Sequence, residues 1–495
     1  MQEALVHERK GGTGPMIDQE MKGKRVLVFG LARSGVGAAN LLSSIGAEVT
    51  VTDRKGEGDI GEYRAMLDPS VRLHLGCYPE CLNGAELIIV SPGVPLTIDP
   101  IVRARRQGIR IIGELELGFR FVERKVPFLA VTGTNGKSTT TTLLDLMLRK
   151  GGYSTILGGN IGTAITWELM KAAGVGHSGV SDDAAAFCFK PDADFIVAEV
   201  SSFQLESISE FRPMGAAIIN ITPDHMDRYR SVEEYEEAKA QVFSNQGERD
   251  FLVLNADDHG AMRVKQERLT GKAERPDVYY FSRRSEVRGI YVRDGWICLN
   301  LDGAKTGPIS GRLIHTDHVR IKGVHNIENA MASAAMALLA GSGSMAVSET
   351  LREFTGLEHR MEFVREFNGV KYINDSKGTN VGAVAKSLEG IAEPVVLIAG
   401  GRDKAGDFVS LRPLVKERVK SAILIGEASE RIDGAIGDLV KTVRVMNMTE
   451  AVHTARDMAQ RGDAVLLSPA CASFDMFRDF EDRGMQFKTI VMGLH

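Results

Sequence analysis

The run Val131-Thr-Gly-Thr-Asn-Gly-Lys-Ser-Thr-Thr140 sets a glycine turn, a lysine and a hydroxyl between an apolar strand pattern and a helical one. That combination suits the terminal phosphates of a nucleotide and their magnesium. Gly133 and Gly136 can adopt backbone angles closed to other residues, so the N–H groups of the turn through Thr134 and Asn135 can point inward on an anion. Lys137 supplies a point charge, Ser138 a hydroxyl for the metal, and the helix start at Ser138 and Thr139 adds its positive end. Only Thr134 and Asn135 separate Gly133 from Gly136, where the usual phosphate loop has four residues before its Gly-Lys pair.

The elements that must hold this turn are legible around it. Val126-Pro-Phe-Leu-Ala-Val-Thr132 is short and apolar, as a buried strand would be, and Leu143, Leu144, Leu146 and Met147 then mark one side of a helix ending near Gly151-Gly152. Upstream, Arg25-Val-Leu-Val-Phe-Gly30 reads as a parallel strand, Leu31-Ala-Arg-Ser-Gly35 as a turn into a helix through Leu42, and Glu48-Val-Thr-Val-Thr52 as a second strand ending at Asp53. Strand, glycine turn, helix, strand and acid open a dinucleotide-binding type of fold. Ala32 replaces the second glycine of G-x-G-x-x-G, which disfavours a nicotinamide or flavin and leaves another nucleotide, held with Arg33, Ser34 and Asp53. Strand patterns at 86–90, running into Ser91-Pro-Gly93, and at 109–112 complete an α/β unit ending near residue 122.

A central segment, 123–358, adds strand patterns at 195–200, 216–220 and 251–255, short antiparallel strands at 279–281, 289–292 and 296–299, and a helix from Asn326 to Leu339. A Gly/Ser/Asp/Ala-rich stretch at 171–185 reads as a surface insertion. From residue 359 to 495, strand patterns at 395–399, 421–425, 443–446 and 464–467 alternate with helical stretches and predict a third, mainly parallel α/β domain. Gly400-Gly401 and Ser468-Pro469 follow strands, where such domains place ligand loops.

Composition bounds the answer. At 495 residues the chain needs several cores, and 60 basic against 65 acidic side chains leave a formal charge of -5 with no basic block for nucleic acid. Five cysteines, odd in number, fit free thiols in a reducing compartment; Cys77-x3-Cys81 without a second pair does not read as zinc. No apolar run is long enough for a membrane span, residues 1–20 read as a flexible tail without a secretion signal, and the expected address is the cytoplasm.

Glu199 ends one strand and His225 follows another in Thr222-Pro-Asp-His225, so both could reach magnesium near Ser138; a salt-bridge partner and a surface histidine are the bland alternatives. Lys239, in Tyr235-Glu-Glu-Ala-Lys239, reads from its neighbours as a solvated lysine. Arg360 stands at a domain boundary, and Asp375 and Lys377 in Tyr372-Ile-Asn-Asp-Ser-Lys-Gly-Thr-Asn380 form a polar cluster between structured stretches.

The order of Gly133-Thr-Asn-Gly-Lys-Ser-Thr139, Gly158-Gly-Asn-Ile-Gly162, Glu199-Val-Ser-Ser-Phe-Gln-Leu205, Asp224-His-Met-Asp-Arg-Tyr229, His325-Asn-Ile-Glu-Asn329, His359-Arg360, Asn374-Asp-Ser-Lys377, Gly400-Gly-Arg-Asp-Lys404 and Ser468-Pro-Ala-Cys-Ala-Ser473 resembles the ATP-dependent, amide-forming Mur ligases. The resemblance spans almost everything after residue 20. It implies three domains: a Rossmann-like domain (21–122) for a UDP substrate, a P-loop ATPase-like domain (123–358), and a Rossmann-like domain (359–495) for ATP and an amino acid. The implied reaction joins D-glutamate to UDP-N-acetylmuramoyl-L-alanine through an acyl phosphate, in peptidoglycan precursor synthesis.

By the same resemblance, Lys137 steadies the phosphoryl group, Ser138 and Glu199 bind one magnesium, and His225 with a carbamate on Lys239 binds a second. Asn160 contacts the muramoyl end, Asn326 and Asn329 the adenine side, and Arg360 and Asp375 the nucleotide. Lys404, Thr379, Ser473 and Phe480 select D-glutamate; Arg33, Ser34, Asp53, Arg54 and Ser91 hold the UDP end. A monomer is expected. Two readings compete: a Mur or folylpolyglutamate-type ligase with another amino acid, and a phosphate-loop ATPase that makes no peptide bond. Asn135, where the L-alanine enzyme has histidine, and the lack of Asp-Asn-Pro-Arg argue against two of the relatives.

Overall fold

The computed structural model describes residues 21–82, 84–122, 126–174, 192–271, 275–403 and 406–495. The expected tail at 1–20 lies outside them. So does the expected insertion beyond residue 174; its first residues belong instead to a helix, Ile165–Ala172. The described chain forms two compact units, within residues 1–128 with 154–212, and within 129–153 with 213–495.

The first unit opens with β1 (Arg25–Phe29), α1 (Arg33–Ser44), β2 (Glu48–Asp53), β3 (Arg72–Leu75), β4 (Leu87–Val90) and β5 (Arg110–Gly113). All pair in parallel in the order β3-β2-β1-β4-β5. The near-continuous apolar runs of β1 and β4 follow from burial on both faces. Strand order reverses between β1 and β4, and their carboxyl ends carry Gly30 and Ser91, the crevice where such sheets bind ligands.

Next come β6 (Phe128–Thr132), which apart from Phe128 belongs to the second unit, and α2 (Lys137–Lys150). β7 (Thr155–Gly159) and β8 (Phe195–Glu199) form a parallel pair in the first unit. The second unit resumes with β9 (Gly215–Ile218), α3 (Val232–Ala240), β10 (Phe251–Asn255), β11 (Asp277–Ser282), β12 (Gly289–Arg293), β13 (Trp296–Leu301), β14 (Ile309–His315) and α4 (Val324–Ala340). Within it the sheet runs β14-β13-β12-β11-β10-β9-β6.

The expectation of three antiparallel strands holds for β12 with β13 but not for β11, which is parallel to β10 and to β12. A helix, His259–Leu269, connects β10 to β11, and a helical crossover returns the chain in the same direction. α4 is buried from Glu328 to Ala340, and its alanines let it pack closely on α2.

The third sheet contains β15 (Glu362–Phe367), β16 (Val370–Asn374), β17 (Val395–Gly400), β18 (Val419–Ile425), β19 (Lys441–Arg444) and β20 (Ala464–Leu467), in the order β15-β16-β20-β17-β18-β19. Only β15 is antiparallel. The strand expected at 443–446 starts and ends two residues earlier. Leu397, Leu424 and Leu466 face one core while Val396, Ile423 and Val465 face another, the period of two that a sheet covered on both sides imposes. α5 (Val381–Glu389) and α6 (Phe480–Met492) flank it, capped by Asn380 and Asp479.

Candidate nucleotide and substrate sites

In the second unit the turn between β6 and α2 is fixed from both sides. Gly133 and Gly136 have φ of 154° and 87°. A Cβ at Gly136 would meet Asn329 Oδ1 at 2.2 Å, so nothing larger fits. Asn220 clamps the turn: its Oδ1 accepts from Asn135 N–H at 2.9 Å and its amide donates to Asn135 O at 3.0 Å. Thr134 Oγ1 donates to Thr222 O and accepts from Thr222 N–H, both at 3.0 Å. Lys137 Nζ donates to Gly133 O and Thr134 O at 3.0 and 2.8 Å. Ser138 and Thr139 are buried at the helix start. Asn220, not anticipated from the sequence, therefore braces the glycine turn.

Lys239 overturns its solvated reading. It is buried, its Nζ donates to Gly133 O at 2.8 Å, and it lies 4.5 Å from the Tyr235 ring centre. Glu236 and Glu237, the acids that suggested a wet helix, are paired with Arg263 and Arg268, and Glu236 is itself buried. His225 has φ of 57°, unusual for a residue with a side chain, and follows Asp224, whose Oδ1 accepts the His225 N–H at 2.9 Å and whose Oδ2 is 3.7 Å from His225 Nε2.

Beyond the turn a pocket is lined by Asn135, Asn329, Arg360, Asp375, Lys386 and Ser387, among others. Asn329 Oδ1 accepts from Thr140 Oγ1 at 3.3 Å, and its amide donates to Asn326 Oδ1 at 3.2 Å, so both asparagines brace this wall. Arg360 is flanked by His359 and Met361 at φ of 61° and 49°, a tight bend leading into β15. Asp375 is fully enclosed; Ser387 and Ser468 hydroxyls donate to it at 2.7 and 2.8 Å and Met361 N–H at 3.2 Å. Burial raises its carboxyl, opposed by the Arg360 charge.

His325 also lines this pocket, and burial, aided by the positive charges of Arg360 and Lys386, pushes its imidazole from 6.5 down to about 3. As pH falls below the unfolded value, the unfolded chain takes up a proton that the folded one refuses. Stability present above that value is therefore lost toward acid, by up to about 1.4 kcal/mol per pH unit. His325→Gln is expected to flatten the decline of the urea midpoint between about pH 6.5 and 4.5. Parallel declines in wild type and variant would remove His325 as its source.

Loops after β16, β20 and β17 gather at the carboxyl ends of adjacent strands, and they carry Thr379, Ser473 and the Gly401 loop. Lys404 lies outside the described residues. Phe480 opens α6 with Lys377 Nζ 5.0 Å above its ring and His359 edge-on at 6.3 Å. Arg483, unforeseen from the sequence, is wholly buried: it donates to Ser376 Oγ and O at 3.0 and 2.8 Å and to Cys471 O at 3.2 Å, tying two of these loops together.

In the first unit Asp53 is an organiser of the turn: its carboxylate accepts from Leu31 N–H at 2.7 Å and Lys55 N–H at 2.9 Å. Ser91 Oγ donates to Gly30 O at 3.0 Å, and Arg33 Nη1 to Gly162 O at 3.3 Å. Ser34 is half-buried in the first turn of α1, and the exposed Arg54 lies 5.7 Å from the ring centre of Tyr78, a neighbour that sequence spacing did not reveal. Asn160 amide donates to Glu199 Oε1 at 2.7 Å and its N–H to Glu199 O at 2.9 Å, so the two expected site residues meet. A Cβ at Gly159 would meet Glu199 O at 2.3 Å, and that glycine permits the approach.

Three family models match the chain: Mur ligase MurD-like, N-terminal domain over residues 24–113, Mur ligase middle domain over 131–337, and Mur ligase, glutamate ligase domain over 359–471. A UDP-N-acetylmuramoylalanine–D-glutamate ligase of Geotalea daltonii is 44% identical over 96% of this chain and 98% of its own length. Its namesake in Pelotomaculum thermopropionicum is 43% identical over 95% and 98%. Among solved structures, a UDP-N-acetylmuramate–alanine ligase of Thermotoga maritima aligns at TM-score 0.57 with 18% identity, covering 95% of this chain and 99% of that one. MurF from Acinetobacter baumannii aligns at 0.57 with 17% identity, covering 94% and 93%. Those two likenesses concern the fold.

Proposed function

The chain belongs to the Mur ligase family, and on that premise we propose how its residues divide the ATP-dependent ligation of D-glutamate to UDP-N-acetylmuramoyl-L-alanine. A carboxylate is a poor acyl donor at neutral pH. The terminal carboxylate of the UDP substrate therefore attacks the γ-phosphate of ATP, giving an acyl phosphate and ADP. The amine of D-glutamate adds to that carbonyl, the tetrahedral intermediate expels phosphate, and an amide remains.

The observation that carries this reading is the paired lysines: Lys137 and Lys239, from separate helices, both reach the Gly133 carbonyl inside the phosphate turn. Lys137 balances charge on the transferring phosphoryl group, with Thr134, Asn135 and Thr139 around it. Asn326, Asn329, Arg360 and Asp375 hold the nucleotide. Residues 21–122 take the UDP end through Arg33, Ser34, Asp53, Arg54 and Ser91, with Asn160 toward the reacting carboxylate. Residues 359–495 deliver D-glutamate through Lys404, Thr379, Ser473 and Phe480. Among the described residues no three His, Cys, Asp or Glu side chains gather as a metal cluster, so a hard cation here must draw much of its shell from phosphate oxygens and water.

The side chains assigned to magnesium are of types that fit a hard cation on those terms, each within its own unit: the Glu199 carboxylate in the first, and the Ser138 hydroxyl, the His225 imidazole and a carbamate on Lys239 in the second. Magnesium bound there offsets the negative charge of phosphoryl transfer. The carbamate forms when neutral Lys239 amine adds to carbon dioxide and loses one proton. Among the described residues no helix is long and apolar enough to cross a membrane. A cytoplasmic monomer suits an ATP-consuming enzyme with free thiols.

Purified protein with ATP, magnesium and UDP-N-acetylmuramoyl-L-alanine, offered D-glutamate, L-glutamate, L-alanine or meso-diaminopimelate in turn, tests the assignment. Release of ADP with a UDP-linked product heavier by one glutamate is expected with the D-enantiomer alone. Product with a different amino acid, or ADP release without product, would overturn it.

A further inference from the structure

Asn380 uses both ends of its side-chain amide. Its Oδ1 accepts the Ala383 N–H at 2.8 Å and so caps α5. Its Nδ2 donates to Asp224 Oδ2 at 3.0 Å and lies 3.4 Å from Asn135 Oδ1. These partners are 156 and 245 residues away in sequence. One is in the phosphate turn and the other is the carboxylate beside His225. The start of α5 is close against the turn and the strand end beside it: a Cβ on Gly382 would lie 3.6 Å from Asn135 Nδ2 and 3.8 Å from Thr222 Oγ1.

The neighbours leave Asn380 a definite task. Asn220 fixes the Asn135 backbone but not its side chain, whose Nδ2 is buried without a hydrogen-bond partner at the wall of the nucleotide pocket. Asn380 supplies the contact to the other end of that amide. On Asp224, it donates to the oxygen nearer His225 Nε2. The same helix, α5, carries Lys386 and Ser387 into the pocket. We propose that Asn380 is a positioning residue that couples docking of the third domain to the set of the phosphate turn and of His225. The role deepens the reading of residues 133–138 as the phosphate site and rests on it.

The chemistry explains the residue type. Serine, threonine or aspartate would cap α5 as well as asparagine does. A hydroxyl has one proton to give, whereas the amide adds to that acceptor two N–H donors, one for Asp224 and one for Asn135. Asn380→Asp thus keeps the cap but sets one carboxylate against another. Asp224→Asn in the same chain gives the new carboxylate a donor again.

The test uses the full-length protein with ATP, magnesium, UDP-N-acetylmuramoyl-L-alanine and D-glutamate. Asn380→Asp is expected to lower kcat roughly 10- to 30-fold, with its melting transition kept and KM for the UDP substrate unchanged. The double variant is expected to exceed the product of the two single effects by about tenfold. A kcat within about twofold of wild type, or effects that simply multiply, would overturn the coupling.

Should Asp224→Asn be too slow to measure, hydrogen exchange with a non-hydrolysable ATP analogue decides. Faster exchange at residues 134–136 in Asn380→Asp supports the role, and equal protection removes it. Lys137→Ala separates the two readings. If it leaves turnover intact, the phosphate site itself is misassigned; if it abolishes turnover while Asn380→Asp is silent, only the coupling fails.

Discussion

Lys137→Ala is expected to leave a folded protein that has lost at least about 100- to 1,000-fold in kcat/KM for ATP, because a donor that meets charge developing in the transition state is worth that much in a water-poor site. The fold has reason to survive. The turn is braced independently by Asn220, Thr134 and Thr222, and α2 is anchored by Leu143, Leu144 and Met147 in the core. What disappears is a half-buried ammonium held by Gly133 O and Thr134 O at the mouth of the turn. Lys137→Arg is expected to fare little better, since a planar fork cannot occupy the space of a point charge. ADP release and the melting transition, measured on the same samples, check this. Turnover within about tenfold of wild type in a well-folded variant would move the phosphates elsewhere.

What was legible in the sequence was whatever depends on neighbours along the chain. The apolar runs of β1, β4, β6, β10, β17 and β20 announce strands buried on both faces, and the glycines of the phosphate turn announce its shape. The antiparallel pair expected at 289–292 and 296–299 had its turn left unread, and a second hairpin was missed although the signal was there. Asp294-Gly295, at φ of 52° and 76°, joins β12 to β13, and Asn368-Gly369, at 53° and 75°, joins β15 to β16. These are two-residue turns of the type that Asn-Gly and Asp-Gly favour.

The candidate site was legible only in part, for a different reason. Motifs located Glu199, Asn160 and Asp375, but not what touches them. Asn220, Ser387, Ser468, Arg483 and Asn380 act through partners far along the chain, and nothing local to a serine or asparagine tells which carboxylate it will meet. Lys239 is the sharpest instance. Its i−3 and i−2 neighbours are glutamates, a pattern that ordinarily marks a wet face, yet Glu236 itself is buried and paired with Arg263. Helical spacing assigns faces; it does not say which face the rest of the chain covers.

Lys239→Arg is expected to reduce turnover by about 100-fold or more even though it keeps a positive charge, and Lys239→Ala to do no better. If the working group were an ammonium, arginine would retain part of its function. The hydrogen bond to Gly133 is compatible with the anionic form. A carbamate nitrogen keeps one N–H, so the 2.8 Å hydrogen bond to Gly133 O survives the modification while two oxygens extend beyond it. Those oxygens would be hard ligands of the kind magnesium takes.

Two measurements separate the forms. Protein equilibrated with carbon-13-labelled bicarbonate should show one carbamate resonance that Lys239→Arg lacks, and removal of carbon dioxide should slow wild-type turnover reversibly. No resonance, together with activity indifferent to carbon dioxide, would leave Lys239 a buried cation steadying the Gly133 carbonyl. A second magnesium, if the reaction uses one, would then need other ligands.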